Sequence, residues 1–191
     1  MSAAGGIADG GPVPLPQWAL ALAERHLAAV PRRWRHAQGV VRRAGEVAPR
    51  LADDGDLLLA AAAVHDIGFA PEAAAVGFPA VDGARFLEKQ GGPPRLVHLV
   101  AHSAASALEG ELRGFGAEYA DFEDERSPLR DALWWCCLTT GPDGEPVTLE
   151  ERIAEWSIRY AGDAVIARYA ELAPPELRAA LARTEGLLGL S

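Results

Sequence analysis

The sequence predicts an all-α fold, a single-domain helical bundle, on three observations. From Gln17 onward, apolar residues recur at three- and four-residue steps, the spacing of helices that bury one face. No stretch shows the period-two alternation and β-branched enrichment that are typical of strands. The 191 residues are 49% hydrophobic and 24% charged, the balance of a globular chain with a buried core. We therefore expect one domain over residues 17–191, after a disordered Gly- and Pro-rich lead over residues 1–16.

The first two helices are predicted over residues 16–29 and from Pro31 onward, because proline suits the first turn of a helix. His36 is expected at the edge of the inner face of the second helix. The apolar stripe of this helix is predicted at Trp34, Ala37, Val41, Ala44 and Ala48. The residues mostly off that stripe, which a solvated face explains most simply, are Arg32, Arg33, Arg35, Arg42 and Arg43.

A third helix is expected to be central, because residues 57–64 are apolar on every side. Asp54 or Asp56 is the expected N-terminal cap of this helix. The helix is predicted to end at His65 and Asp66, and Gly68 is a natural stop signal.

The remaining chain predicts further helices. A fourth spans about residues 80–90 and ends at a Gly-Gly-Pro-Pro break, and a fifth continues to about residue 111. His98 and His102 lie one turn apart on the fifth helix. Ser127 and Pro128 start the next helix, on which Cys137 is expected to point inward. A capping box at residues 148–151 opens another, and two more are predicted over residues 163–172 and 175–188.

Composition excludes several function classes. Eighteen basic against 27 acidic residues give a formal charge of -9, which repels nucleic acid but leaves a small anionic molecule open as the partner. The longest apolar run, residues 57–64, is far shorter than the roughly 18 to 20 residues that cross a bilayer, so no membrane association is expected. No apolar segment precedes the first basic residue, Arg25, so we expect no secretory signal and a cytoplasmic location. The sequence does not determine the oligomeric state.

Five inward-facing polar residues are candidates for a metal site or for catalysis. Metal sites in helical bundles draw ligands from different helices, and buried ionisable groups need a partner or a metal ion. A lone inward histidine is more often a hydrogen-bonded core residue than a ligand, and a buried cysteine is usually a small hydrophobic residue. The candidates are His36, His65, Asp66, His102 and Cys137.

These residues resemble the HD-domain superfamily of metal-dependent phosphohydrolases. The first histidine of that motif matches His36 in HAQGVVRRAGEVA, and the His-Asp pair matches His65 and Asp66 in LLLAAAAVHDIGFAPE. The segments VDGARFL, RLVHLVAHS and ALWWCCLTTGPDGEPVT are similar to those of small bacterial HD proteins. The resemblance covers about residues 30–160. It implies an all-α bundle that holds a divalent metal ion and hydrolyses a phosphate ester.

The sequence departs from the family pattern at three positions. Pro79 and Ser103 stand where relatives carry further histidines, and Cys137 stands where relatives carry the aspartate that closes the metal site. Without those histidines, we expect at most one divalent ion, held by His36, His65, Asp66 and Cys137. A thiolate would favour zinc or iron over magnesium or manganese, whereas a protonated thiol would leave the site without metal. The expected cofactor is therefore one Zn, Fe or Mn ion, or none.

The resemblance also implies roles for individual residues. Asp66 would orient the attacking water, and His102 would protonate the leaving oxygen or bind the phosphate. Arg42 and Arg85 are candidate phosphate contacts, with ordinary surface salt bridges as the alternative.

Three classes of function follow from this pattern of matches and departures. The first is a phosphohydrolase that acts on a small phosphate ester or nucleotide. The second is a biosynthetic enzyme with other chemistry, such as iron-dependent oxygenation. The third is a non-catalytic module that binds a small molecule or a partner.

Overall fold

The structure, a computed structural model, describes residues 13–190 and is all-α over that range. The described residues contain no β-strand, only an isolated bridge between Thr140 and Pro146. The lead predicted over residues 1–16 lies outside the described residues up to residue 12. Its last two residues already belong to the first helix, because proline is tolerated in a first helical turn. The helices are α1 (Leu15–Leu27), α2 (Pro31–Val47), α3 (Gly55–Val64), α4 (Pro79–Lys89), α5 (Pro94–Ala101), α6 (Ser106–Leu112), α7 (Pro128–Leu138), α8 (Leu149–Arg159), α9 (Ala164–Leu172) and α10 (Pro174–Leu188).

Helix α3 is the centre of the bundle, as its apolar composition predicts. It packs against α1, α2, α5 and α7, and its alanines at positions 60–63 let these neighbours approach closely. Neither predicted aspartate caps this helix. Asp54 has helical rather than extended backbone angles, and its side chain is paired with Arg95. Because α3 ends inside the bundle, the residues that follow it emerge in the core.

Helix α2 is rotated relative to its predicted stripe. His36, Val40 and Val47 are buried, whereas Val41 and Ala48 are only half-buried. The turn at residues 139–147 covers this side of α2, and helix periodicity alone does not predict a covering turn. His36 therefore lies on the buried face rather than at its edge.

The predicted fifth helix is broken into two. Helix α5 ends at Ala101, and the short 3₁₀ segment Ser103–Ala105 separates it from α6. Ala104 and Ala105 adopt left-handed backbone angles, with φ of 48° and 56°. The indole of Trp134 donates to the His102 carbonyl oxygen, and the Tyr169 hydroxyl donates to that of Ala104. These contacts satisfy carbonyls at the break, so tertiary packing overrides a sequence of good helix formers.

The C-terminal helices enclose the end of the bundle that contains the candidate site. Ser127 caps α7, and Thr148 with Glu151 forms the predicted capping box of α8. Helix α10 packs on α7, while α9 packs against both α6 and α8. Within residues 13–190, no helix combines the length and the hydropathy needed to cross a membrane.

Candidate metal site and its cavity

His36 is held on the inner side of α2 by a contact with the 139–147 turn. Its side chain is almost fully buried, with 5% of the residue exposed, and Nδ1 lies 2.9 Å from the Gly141 carbonyl oxygen. The turn can approach this closely because Gly39 has no side chain. A Cβ there would lie 2.6 Å from the Gly144 Cα. Since a carbonyl only accepts, Nδ1 carries the proton, and Nε2 is left with a free lone pair.

His65 is oriented by the end of its own helix. It follows α3 directly, and its Nδ1 donates to the Ala62 carbonyl oxygen at 2.9 Å, one of the carbonyls left free at a helix end. Its Nε2 is buried and makes no hydrogen bond within the described residues. The two histidines thus share one arrangement, in which Nδ1 is tied to a backbone carbonyl and Nε2 is available.

Asp66 completes the cluster at the turn after α3. Its Oδ1 lies 3.6 Å from Nε2 of His65, and its Oδ2 accepts a hydrogen bond from Nη1 of Arg33 at 3.1 Å. The turn is fixed by Gly68, because a Cβ there would lie 1.8 Å from the Pro79 carbonyl oxygen. His36, His65 and Asp66 each offer one ligand atom, and all three atoms lie within 4.8 Å of one another.

These three side chains fit a divalent metal ion. Ligand atoms around a tetrahedral zinc ion are about 3.4 Å apart, so a small contraction of the cluster would bring them to that spacing. Histidines that bind metals usually donate their second ring nitrogen to a carbonyl or carboxylate, as both histidines do here. Two histidines and one carboxylate also leave a coordination position open, which is typical of catalytic sites.

Burial and charge set the protonation states of the cluster. Burial lowers the pKa of His36 to about 3, so this ring is neutral. Burial alone would raise the pKa of Asp66, but Arg33 and the two histidines outweigh it and hold this pKa well below its usual range. Burial opposes charge on His65, but contacts with Cys137 and Asp66 raise its pKa above the ordinary histidine value. In the metal-free protein, therefore, Asp66 is charged and paired with Arg33.

Cys137 lies beside this cluster but is not part of it. The residue is 5% exposed on α7 and contacts the His65 ring. Burial raises the pKa of the Cys137 thiol, more than the neighbouring His65 lowers it. Among the described residues, the group of mutually close ligand atoms contains only the two histidines and Asp66. The position where the family resemblance leads us to expect a carboxylate thus holds a neutral thiol next to one of the three candidate ligands.

A cavity of about 350 Å³ opens onto the cluster. His65 and Asp66 form part of its wall, and Pro79 and Ser103, where the family resemblance leads us to expect histidines, also line it. Neither of those side chains offers an imidazole, so His65 is the only histidine among the described residues that line the cavity. Five of the eighteen described lining residues are aromatic, Phe69, Phe78, Trp156, Tyr160 and Tyr169, and four besides Asp66 are charged, Arg33, Glu109, Arg113 and Asp163. The cavity therefore suits a small molecule that has both an apolar or aromatic part and a charged or polar part.

The structure does not bring the other predicted site residues to the cluster. His102 is buried, its Nε2 donates to the Phe122 carbonyl oxygen at 3.0 Å, and it is not among the described residues that line the cavity. Arg42 donates to the Gly144 carbonyl oxygen at 2.9 Å and so anchors the turn over α2. Arg85 is paired with Glu118. The present geometry thus gives these three residues structural contacts.

Arg33 is the site residue that sequence reasoning missed. Its position off the apolar stripe of α2 predicts a solvated arginine, yet it pairs with Asp66. Its guanidinium carbon also lies 3.5 Å from the ring centroid of Phe69. A usable signal was present, because Arg33 precedes His36 by three residues. Residues at that spacing share one helix face.

Comparison with known proteins agrees with this geometry. Residues 33–157, more than half of the chain, match the family model of the HD domain. Neither curated proteins nor solved structures gave a match. The matched range contains all three residues of the cluster and most of the cavity wall. The chain therefore belongs to the HD-domain family, whose members typically bind divalent metal ions.

Proposed function

We propose that this protein is a metal-dependent phosphohydrolase that acts on a small phosphate ester or nucleotide. The observation that carries the proposal is the convergence of His36, His65 and Asp66, two of which, His65 and Asp66, lie at the wall of a cavity. Both histidines are held by carbonyl contacts that leave Nε2 free. A binding pocket that opens onto such a cluster is the arrangement that metal-assisted hydrolysis requires.

His36, His65 and Asp66 would hold the ion. A divalent metal supplies Lewis acidity at this point, which lowers the pKa of water and offsets charge on a phosphate ester. With Cys137 as a neutral thiol, a set of two imidazoles and one carboxylate suits zinc, iron or manganese. We propose one such ion per chain.

The chain's own groups have separate tasks in this mechanism. Asp66 is ionised, so its carboxylate can accept a hydrogen bond from the attacking water and orient it. Arg33 lies at the cavity wall and can donate hydrogen bonds to phosphoryl oxygens. The aromatic walls hold the alcohol portion of the ester and exclude bulk water from the reacting bond.

Metal content and hydrolysis, measured on the same preparations, test this proposal. The protein should bind one equivalent of zinc, iron or manganese and hydrolyse p-nitrophenyl phosphate. His36→Ala should lose both properties. His98→Ala is a matched control, because His98 contacts the Glu123 backbone and lies outside the cluster. Equal metal binding by both variants, or stoichiometric metal without hydrolysis of any phosphate ester, would count against the proposal.

A second candidate is a metal-free module that binds a small anionic molecule. The observation in its favour is the Arg33–Asp66 ion pair at 3.1 Å, which gives the carboxylate a counterion without a metal. The neutral thiol of Cys137 also favours a metal-free protein, because the thiolate and not the thiol binds metals. For this candidate, the protein would contain no metal after incubation with zinc, manganese and iron, and its melting temperature would be unchanged by a chelator.

A further inference from the structure

A second, smaller depression lies on the other side of Arg33 from the cavity. Arg33 lines both, so its side chain forms the partition between them. The smaller depression, called the arginine groove below, lies next to the metal cluster because His36 is one of its walls. The arginine groove is lined by Arg32, Arg33, His36, Pro142, Arg152 and Arg159.

The arginine groove has more positive than negative charge. Glu155 pairs with three of its arginines, at 3.6 Å from Arg32, at 3.1 Å from Arg152 and also with Arg159. The fourth, Arg33, pairs with Asp66. In the part of the chain that the structure describes, four guanidinium groups therefore share two carboxylates. This concentration of positive charge occurs on a chain whose formal charge is -9.

Arg152 shows that this charge is not fully matched within the protein. Its side chain is only 10% exposed, and its Nε is buried with no hydrogen-bond partner within residues 13–190. Burial lowers the pKa of Arg152, with neighbouring Arg159 and Arg33 adding to the effect. A buried guanidinium with a free donor and like-charged neighbours is stabilised by an anion that accepts its hydrogen bonds.

We propose that the arginine groove binds a phosphate group. Its enclosed volume of about 10 Å³ is close to that of one water molecule, so it admits an oxygen of a tetrahedral anion but not a base or a sugar. The cavity of about 350 Å³ lies on the other side of Arg33, so the rest of an ester would reach it only with the Arg33 side chain displaced. This inference rests on the proposed hydrolysis, since the bound group is either the phosphoryl group of the substrate or the free phosphate product.

The experiment titrates inorganic phosphate into metal-free protein by calorimetry, in EDTA and at low ionic strength. Without a metal, phosphate binding reports on the arginines alone. Arg32→Gln should weaken binding about 3-fold to 5-fold, the effect of an exposed ion pair, and Arg159→Gln by about 10-fold. Arg35→Gln is the matched control. Arg35 lies on the same helix and is 51% exposed against 53% for Arg32, but it pairs with Asp143 outside the groove.

A variant that should bind phosphate more tightly distinguishes an effect of charge from general damage to the fold. Glu155→Gln removes the carboxylate that three arginines share, so it should tighten phosphate binding about 3-fold to 10-fold. A variant that merely loosened the structure would bind more weakly. Thermal unfolding of each variant checks that the fold is intact.

The outcomes separate this inference from the proposed function. Tighter binding by Glu155→Gln, with weaker binding by Arg32→Gln and Arg159→Gln, supports the arginine groove even in a protein that proves inactive. No phosphate binding by the metal-free wild type, or equal binding by Arg32→Gln and Arg35→Gln, would overturn it. The metal content and ester hydrolysis described above test the function independently. Titration of phenyl phosphate beside inorganic phosphate shows whether the group is recognised as part of an ester or as the free ion.

Discussion

Replacing Cys137 with aspartate is the most informative change in this site. The substitution puts a carboxylate beside His65, at the position where the family resemblance leads us to expect the aspartate that closes the metal site. Without metal, the new charge is buried and lies near Asp66, so we expect the free energy of unfolding to fall by about 1–3 kcal/mol. With metal, the same carboxylate becomes a fourth ligand. We expect metal affinity to rise by at least about 100-fold, beyond the 10–100-fold that outer partners of metal ligands contribute.

The effect on stability follows from mass action. A metal ion present at about 100 times its dissociation constant adds about 2.7 kcal/mol to the free energy of unfolding. In a chain of 191 residues, this corresponds to a rise of about 5–11 °C in the melting temperature. The assay compares thermal unfolding of Cys137→Asp in EDTA and in a manganese or zinc titration. Metal content after dialysis gives the stoichiometry.

Cys136→Asp is the matched control. Cys136 is fully buried on the same helix, but its charged neighbours are Arg43 and Glu46 rather than the cluster. We expect this variant to lose stability without a gain in metal affinity. A similar response of both variants to metal would refute the assignment of position 137 to the metal site. The assignment would also fail if Cys137→Asp bound metal no more tightly than the wild type.

Three further predictions follow from particular contacts. Gly68→Ala should destabilise the fold by about 1–3 kcal/mol or more, because its Cβ would lie 1.8 Å from a carbonyl oxygen of α4. Gly45→Ala, with nothing within 4 Å of its Cβ, should stabilise α2 by about 0.5–1 kcal/mol, and urea unfolding measures both. The depressed pKa of Asp66 stabilises the metal-free fold above the ordinary carboxyl range. The loss of stability in Asp66→Asn should therefore be largest near pH 7 and shrink below about pH 4, and a constant difference between pH 3 and 7 would contradict it. Both cysteine thiols are buried and have raised pKa values. Iodoacetamide at pH 8 should therefore label neither thiol in the native protein and both in urea. Rapid labelling of the native protein would contradict their burial.

Sequence patterns predicted the elements better than they predicted how those elements face one another. The apolar run of α3 could only be central, and its neighbours in the structure agree. The spacing of apolar residues alone predicts a stripe on α2 that runs beside His36. The covering turn, which needs Gly39, makes His36 a buried position. The break after α5 carries no glycine or proline, since two alanines adopt left-handed angles under contacts from distant Trp134 and Tyr169.

The site could be predicted where it depends on local sequence order. His65 and Asp66 are adjacent in the chain and end a buried helix, so their joint placement followed from the sequence. The contacts of Arg42, Arg85 and His102 depend on turns and side chains far away in the chain, and no spacing rule gives them. The arginine groove is a similar case, because it joins residues of α2 to residues of α8 more than a hundred positions later.

The thiol at position 137 changes the balance between metal affinity and reactivity. A protonated Cys137 adds no negative charge, and both imidazoles must be neutral to bind a metal ion, so the ligand set of two histidines and Asp66 would carry a single negative charge. A divalent ion in that set keeps a net positive charge and more Lewis acidity than it would beside a second carboxylate or a thiolate. The small negative charge of the ligand set would also weaken the binding of the metal ion. In the metal-free protein, Arg33 pairs with Asp66 and so competes with a metal ion for this carboxylate. We therefore expect metal-free and metal-bound forms to be closer in free energy than in a site with four charged or imidazole ligands, and we expect the charge at position 137 to decide between them.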